Sequence, residues 1–219
     1  MPDVDSDPAA DPNAPGRAAV GAALRRFAHV VVGHEMDAAL ADELTATLAG
    51  FAARIATGHT RSRENSGFQE HWDSDVAEGE QVVSYEYRPF SGDASPWSVE
   101  PDIRREGDGV AATVTFGSAH EGAPERCHGG IVAGLFDDIL GSVLSVTGDG
   151  GFTGELTVRY VAAVPLHRQL RCTGRVDRRE GRKIFMLGEL FDGDVLLSTA
   201  RAVFIQPRQA ATQSTFDPG

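Results

Sequence analysis

From residue 109 onward, hydrophobic positions tend to recur every second residue. GVAATVTFG (109–117) and ELTVRYVA (155–162), where Leu156, Val158 and Tyr160 alternate with Thr157 and Arg159, read as half-buried strands. LRCTGRVDR (170–178), KIFMLGELF (183–191) and VLLSTARAVFIQ (195–206) extend the series, with EGR and DGD supplying turn chemistry between them. The pattern predicts an antiparallel meander. One stretch breaks the period: in GGIVAGLFDDILGSVLSVTG, residues Ile131, Leu135, Ile139, Val143 and Val146 recur at helical spacing, and interior glycines and serines keep one side slim. A largely apolar helix inside a β meander is expected to be wrapped by the sheet.

Upstream, the pattern is different. From Arg17 to Thr57 the apolar positions form two helical stripes, Leu24, Phe27 and Val31, then Leu40, Leu44, Leu48, Phe51 and Ile55, with Gly33 between them. This predicts a helical arm packed on the main domain or on a partner subunit. Residues 58–108 are polar and rich in Gly, Ser and Pro, which predicts an ordered irregular loop with short strands. Phe90 and Trp97 are candidates to line a pocket there, with burial under the loop as the plainer reading. Residues 1–16, rich in Pro, Asp and Ala, are expected to form a disordered acidic tail, and residues 209–219 a C-terminal tail. The domain proper is placed at 58–208.

Composition narrows the function. A formal net charge of −12 argues against a nucleic-acid partner, although a local basic patch can still take a small anion. With 41% hydrophobic residues, no apolar run approaching the length of a membrane span and no leader-like start, the expectation is a cytoplasmic protein without a membrane span. The two cysteines, Cys127 and Cys172, form no CxxC pair and are expected to be reduced and structural. GxSxG and HExxH motifs are absent, and HEGAPERCH (120–128) has no recognised zinc spacing, so neither a metal nor a bound cofactor is expected.

The order of strand, HGG-started helix and antiparallel strands resembles the hotdog fold. HGGIVAGLFD, FTGELTVRYVAAVPL and EGRKIFMLGELFDGDVLLSTARAVFI are similar to the PaaI and THEM4-like acyl-CoA thioesterases over residues 85–206. The resemblance implies an α+β fold, an antiparallel sheet wrapped around a central helix, here with an N-terminal helical extension. It also implies hydrolysis of acyl-CoA to a free acid and coenzyme A, a place in fatty acid metabolism, and a homodimer or dimer-built homotetramer. By the resemblance, the family's His-Gly-Gly falls on His128, Gly129 and Gly130, its helix carboxylate on Asp137, its threonine on Thr153, and its coenzyme A contacts on Arg182 and Lys183.

The residues can be weighed against those roles. Amides at a helix start suit the charge that develops on a thioester oxygen, and glycine lets a ligand approach the backbone. His128 can orient that region or simply cap the helix. Asp137 is conspicuous among apolar neighbours, because burying a carboxylate is costly, and it suits a general base or a nucleophile. Asp138, about 100° further round the helix, is read as a solvated or salt-bridged acid. Thr153 can hold the Asp137 carboxylate or be an ordinary strand-edge residue. Lys183, the only lysine, stands in RREGRK, which suits the coenzyme's phosphates or is a charged hairpin turn.

Two alternatives stay open, a non-catalytic acyl-CoA-binding protein and a hotdog enoyl-CoA hydratase. Asp137 is expected roughly 10 Å along the helix from the glycine amides and on about the opposite face. A two-fold pairing of helices would then set Asp137 of one subunit beside the amides of the other.

Overall fold

Six strands form one antiparallel sheet in the order β1-β2-β4-β5-β6-β3 in the computed structural model, which describes residues 13–60 and 76–208. The strands are β1 (Asp102–Glu106), β2 (Gly109–Thr115), β3 (Phe152–Tyr160), β4 (Gln169–Glu180), β5 (Lys183–Asp192) and β6 (Val195–Ile205). β4, β5 and β6 are the expected meander. The hairpins between them turn through Gly181 and Gly193, both at positive φ, which glycine adopts without steric cost. The meander does not extend to β3: this strand crosses over to pair with β6 and forms the far edge of the sheet.

The central helix, here α3 (Gly129–Thr147), lies against one face of the sheet. It ends at Gly148, which has a left-handed φ of 66° and returns its N–H to the Leu144 carbonyl. Val132, Leu135, Phe136, Ile139, Leu140, Val143 and Leu144 are buried, and they meet Leu170, Cys172, Ile184, Met186, Leu190, Ala202 and Phe204 from the sheet. Two glycines seat the helix. Gly174 and Gly188 are cross-strand partners, and a Cβ on Gly188 would stand 2.9 Å from the Phe136 ring, while one on Gly174 would meet Ile139 and Val143. Among the described residues, α3 is the one helix long and apolar enough to cross a membrane. Here it is the core.

The arm forms α1 (Ala14–Gly33) and α2 (Ala38–Ala56), separated after Gly33 as expected. α1 begins before Arg17, with Pro15 in its first turn. The remainder of the expected N-terminal tail, and the C-terminal tail, lie outside the described residues. α1 does not dock by its predicted stripe. Leu24 is 42% exposed, and the inward face is Arg17, Gly21, Arg25 and His29. Arg17 pairs with Glu86, and buried Arg25 donates to the Asp93 and Ser95 carbonyls and to Glu100 at 2.6–2.8 Å. α1 is therefore bonded to segment 86–100, which in turn lies on α3.

Candidate active site

Asp137 and Thr153, predicted to work together, do meet. Thr153 Oγ1 donates to Asp137 Oδ1 at 2.8 Å. A bulge between Thr153 and Glu155 interrupts the β3–β6 register and offsets Thr153 from the regular ladder. The pair opens on a pocket of about 280 Å³ lined by Tyr85, Arg88, Phe90, Asp138, Gly141 and Phe204, among others. A larger groove of about 580 Å³ on the sheet, lined by Arg178, Phe185 and Arg201, contains none of the predicted residues.

The costly buried carboxylate of α3 is not Asp137 but its neighbour. Asp137 is only partly buried, whereas Asp138 is 4% exposed and is held on three sides. It pairs with Arg88 Nε at 3.3 Å and accepts from the Phe90 N–H at 2.9 Å and the Ser91 hydroxyl at 2.8 Å. Of the two expected forms, Asp138 is thus the salt-bridged acid and not the solvated one. Burial raises its pKa, against the pull of Arg88 and the two hydrogen bonds. Its lone pairs are taken up by structural partners.

Segment 85–98 supplies the pocket wall, which the sequence left largely unassigned. Gly134, Asp138, Gly141 and Ser145 follow one another at i, i+4, i+7 and i+11, a single face of α3. Phe90 fills the slot at Gly134 and Arg88 the slot at Gly141, since a Cβ at either glycine would collide with them. The slim side of the helix is where that wall seats. Phe90 lines the pocket, whereas Trp97, 71% exposed, does not line it and is not buried. Burial raises the pKa of Tyr85 and the charges of Asp138 and Asp137 add to it, while Arg88 opposes the rise.

His128, Gly129 and Gly130 stand at the N-terminal end of α3. His128 is its N-cap, and its Nδ1 accepts the Gly130 N–H at 3.0 Å. The amide of Gly130 is therefore engaged, while that of Gly129 has no partner among the described residues. The Gly129 carbonyl accepts from Tyr160 Oη at 2.6 Å. Gly130 and Asp137 are seven residues apart, close to two full turns, so they share a face within about 20°. The expected opposition of faces is wrong; about 10 Å of axial rise is what separates them.

Arg182 and Lys183 sit on the exposed β4–β5 turn. Lys183 pairs with Ile205, which pairs with Phe152 on its other side, so the lysine lies two strands, about 10 Å, from the start of β3 and the pocket. The neighbouring arginines are neutralised, Arg178 by Asp177 and Glu180, and Arg179 by Asp149. Arg182 donates to the Gln206 carbonyl at 2.9 Å, and no carboxylate partner of Arg182 or Lys183 occurs among the described residues. Burial pushes the Cys127 thiol up to about 12 and the Cys172 thiol higher still, so neither is a nucleophile near neutral pH.

A family profile for the thioesterase superfamily matches residues 125–199, from the approach to the His-Gly-Gly turn into β6. Over these residues the chain is similar to the thioesterase superfamily. The acyl-coenzyme A thioesterase THEM4 of Xenopus laevis is 33% identical over 88 residues, 39% of this chain and 40% of that protein. THEM4 of Bos taurus is 32% identical over 96 residues, 42% of this chain and 39% of that protein. The match thus spans about two fifths of the length of these curated relatives. In structure, a thioesterase superfamily protein known from its crystal structure superposes with a TM-score of 0.72 at 22% identity, covering 91% of this chain and 97% of that one. The fold is the hotdog fold, and the overlap is broad enough to take in much of the N-terminal arm as well.

Proposed function

We propose that this protein is an acyl-CoA thioesterase that works as a cytoplasmic homodimer, with Asp137 of one subunit and the α3 amides of the other at each site. The observation that carries the reading is the Asp137–Thr153 pair at the mouth of a pocket, with one carboxylate oxygen held by the threonine hydroxyl and the other oriented by that bond. Asp137 then either takes a proton from water as the water attacks the thioester carbonyl, or attacks that carbon itself. In both routes negative charge gathers on the carbonyl oxygen, where a helix N-terminal amide receives it. The thiolate of coenzyme A leaves and is protonated; in the first route the acid is released at once, and in the second it is released when water hydrolyses the anhydride formed on Asp137 and frees the carboxylate. The reactants are the thioester, water and these side chains, with no metal or bound cofactor, and Arg182 and Lys183 supply positive charge for the coenzyme's phosphates.

The way β3 is tied supports the sharing of sites. Near its two ends the strand bonds to the middle and to the N-terminus of α3, Thr153 to Asp137 and Tyr160 to the Gly129 carbonyl. β3 is also the free edge of the sheet and largely exposed. An antiparallel pairing of β3 with its copy, centred near Leu156, places the Thr153 end of one strand beside the Tyr160 end of the other. Asp137 thereby meets the amides of the second copy.

A panel of short, medium, long and aromatic acyl-CoAs, read by thiol release, tests the reaction. Turnover by the intact protein and none by Asp137→Ala is the expected result. Binding of a non-hydrolysable acyl-CoA by both, with no turnover by either on any substrate, makes the protein a binder and overturns the proposal. Site sharing is tested by mixing Asp137→Ala chains with Gly129→Pro chains. Proline is tolerated at the first helical position and His128 already has the extended ψ of 133° that precedes proline; the change removes the unpartnered amide and requires the Tyr160 ring, 3.1 Å from the added Cβ, to give by a few tenths of an ångström, so the variant's melting temperature is checked alongside. Random mixing restores about a quarter of wild-type activity if each site draws on both chains, because half of the dimers then hold one intact site. No recovery in the mixture rejects the sharing.

A further inference from the structure

The second helix of the arm stands off the body. α2 has no buried residue, and Leu40, Leu48, Phe51 and Ile55 are 52, 44, 54 and 76% exposed. A helix of this length without tertiary packing is marginal in water, and an exposed apolar stripe of this extent marks a binding surface. The pattern of the stripe says what covers it. At 100° per residue, Leu40, Leu44, Leu48, Phe51 and Ile55 fall within an arc of about 80°. Their spacing of four, four, three and four residues reads almost the same in both directions, about a midpoint beside Leu48.

The charges have the same symmetry. α2 carries three charged residues, Asp42, Glu43 and Arg54. Asp42 projects away from the stripe. Glu43 and Arg54 share one flank, about 90° from the stripe's centre, and are equally far from the point between residues 48 and 49. The other flank holds Ala41, Thr45 and Ala52, small enough for close helix approach.

We infer that α2 is a self-complementary docking surface whose occupant is α2 of a second copy of this chain, antiparallel and related by a two-fold axis near Leu48. In that pairing Leu40 packs on the partner's Ile55, and Leu44 on the partner's Phe51. Two equivalent Glu43–Arg54 ion pairs close one flank, because a two-fold contact brings the same flank of both helices together. A parallel two-fold pair would instead set this flank against the partner's opposite flank of small residues and leave Glu43 and Arg54 without each other. The pairing concerns α2 alone and does not depend on the reading of the active site.

A cross-link in the full-length chain tests it. In Leu48→Cys, air oxidation is expected to join two chains through the introduced thiols, since residues at the axis face their own copies within disulfide reach. The native thiols do not compete, being 9% and 0% exposed. Ala49→Cys, on the far side of the helix and also exposed, is expected to cross-link about tenfold more slowly. Both positions lie outside the core, so both variants fold. Adding Glu43→Arg to Leu48→Cys is expected to slow cross-linking by about three- to fivefold through like-charge repulsion, and adding Arg54→Glu as well to restore it. Equal rates at positions 48 and 49, bonding of the thiol introduced at position 48 to Cys127 in place of its own copy, or a reversed pair that fails to restore the rate would each overturn the inference.

Discussion

Asp137 and Asp138 are adjacent, yet exchanging each for asparagine is predicted to do opposite things. Asp138 is 4% exposed, faces an Arg88 side chain that is 13% exposed, and accepts two further hydrogen bonds. Removing its charge leaves the guanidinium buried without its counter-ion. Breaking a buried pair in this way costs about 3–5 kcal/mol. In a chain of this size each kcal/mol is worth about 2–4 °C in Tm, so Asp138→Asn is expected to melt about 10 °C or more below the parent protein. Asp137 is held by the Thr153 hydroxyl at an exposed position, and Asp137→Asn is expected to cost about 1 kcal/mol or less. Its effect falls on turnover, which drops by about two to four orders of magnitude with the loss of the base. Urea and thermal unfolding, run beside thiol release on the same preparations, separate the two. Equal stability of the two variants, or an Asp137→Asn protein that turns over at the parental rate, refutes the assignment.

Three further outcomes follow from the geometry. Burial and the neighbouring His29 hold His120, 9% exposed, well below its ordinary value of 6.5, at about 4; the unfolded chain binds this proton first, so stability is full above pH 6.5 and falls by about 3 kcal/mol as pH drops to 4. Urea midpoints across that range should decline in the parent and flatten in His120→Gln, and a flat parent profile counts against it. Gly134→Ala drives a methyl group into the Phe90 ring and is expected to lower stability by about 1–3 kcal/mol and to change the relative rates on a substrate panel, whereas unchanged melting and selectivity would mean that the wall does not rest there. Replacing Arg182 and Lys183 together by alanine should raise KM for an acyl-CoA by about three- to tenfold at low salt with little change in kcat; a fall in kcat at unchanged KM removes them from phosphate binding.

What the sequence made legible was whatever rests on local periodicity. The strands β2 to β6, the central helix and the break at Gly33 follow from spacing alone, and the Asp137–Thr153 contact followed from the family resemblance. The position of β3 at the far edge was not legible, because alternation of side chains tells which face a residue takes and not which strand it pairs with. The docking face of α1 was misread for a different reason. Apolar spacing nominated Leu24, Phe27 and Val31, but Arg25 buries itself by donating to two backbone carbonyls and to Glu100, a set of acceptors about seventy residues away in the chain. The pocket wall leaves only an indirect trace in the sequence: Gly134, Gly141 and Ser145 make one side of α3 slim. Only the fold shows that Arg88 and Phe90 occupy the space.

The confusion of the two aspartates bears on the chemistry. Scarcity of carboxylates in apolar helices is an argument about burial, so it selects the residue that is most enclosed. A reactive carboxylate needs something else, a free lone pair facing substrate and water. Asp138 has committed its acceptors to Arg88, Phe90 and Ser91, and that is what makes its burial tolerable. Asp137 is bound on one oxygen by Thr153 and stands at the mouth of the same pocket. One turn of helix thus divides the work between a carboxylate that holds the wall in place and one left able to exchange protons. The same division applies at the N-terminal end of α3, where the His128 ring occupies the Gly130 amide and leaves the Gly129 amide open. With the open donor and the open base about 12 Å apart along one rigid helix, neither serves the other's carbonyl within the chain. In the proposed dimer an antiparallel second copy would bring them together without bending either.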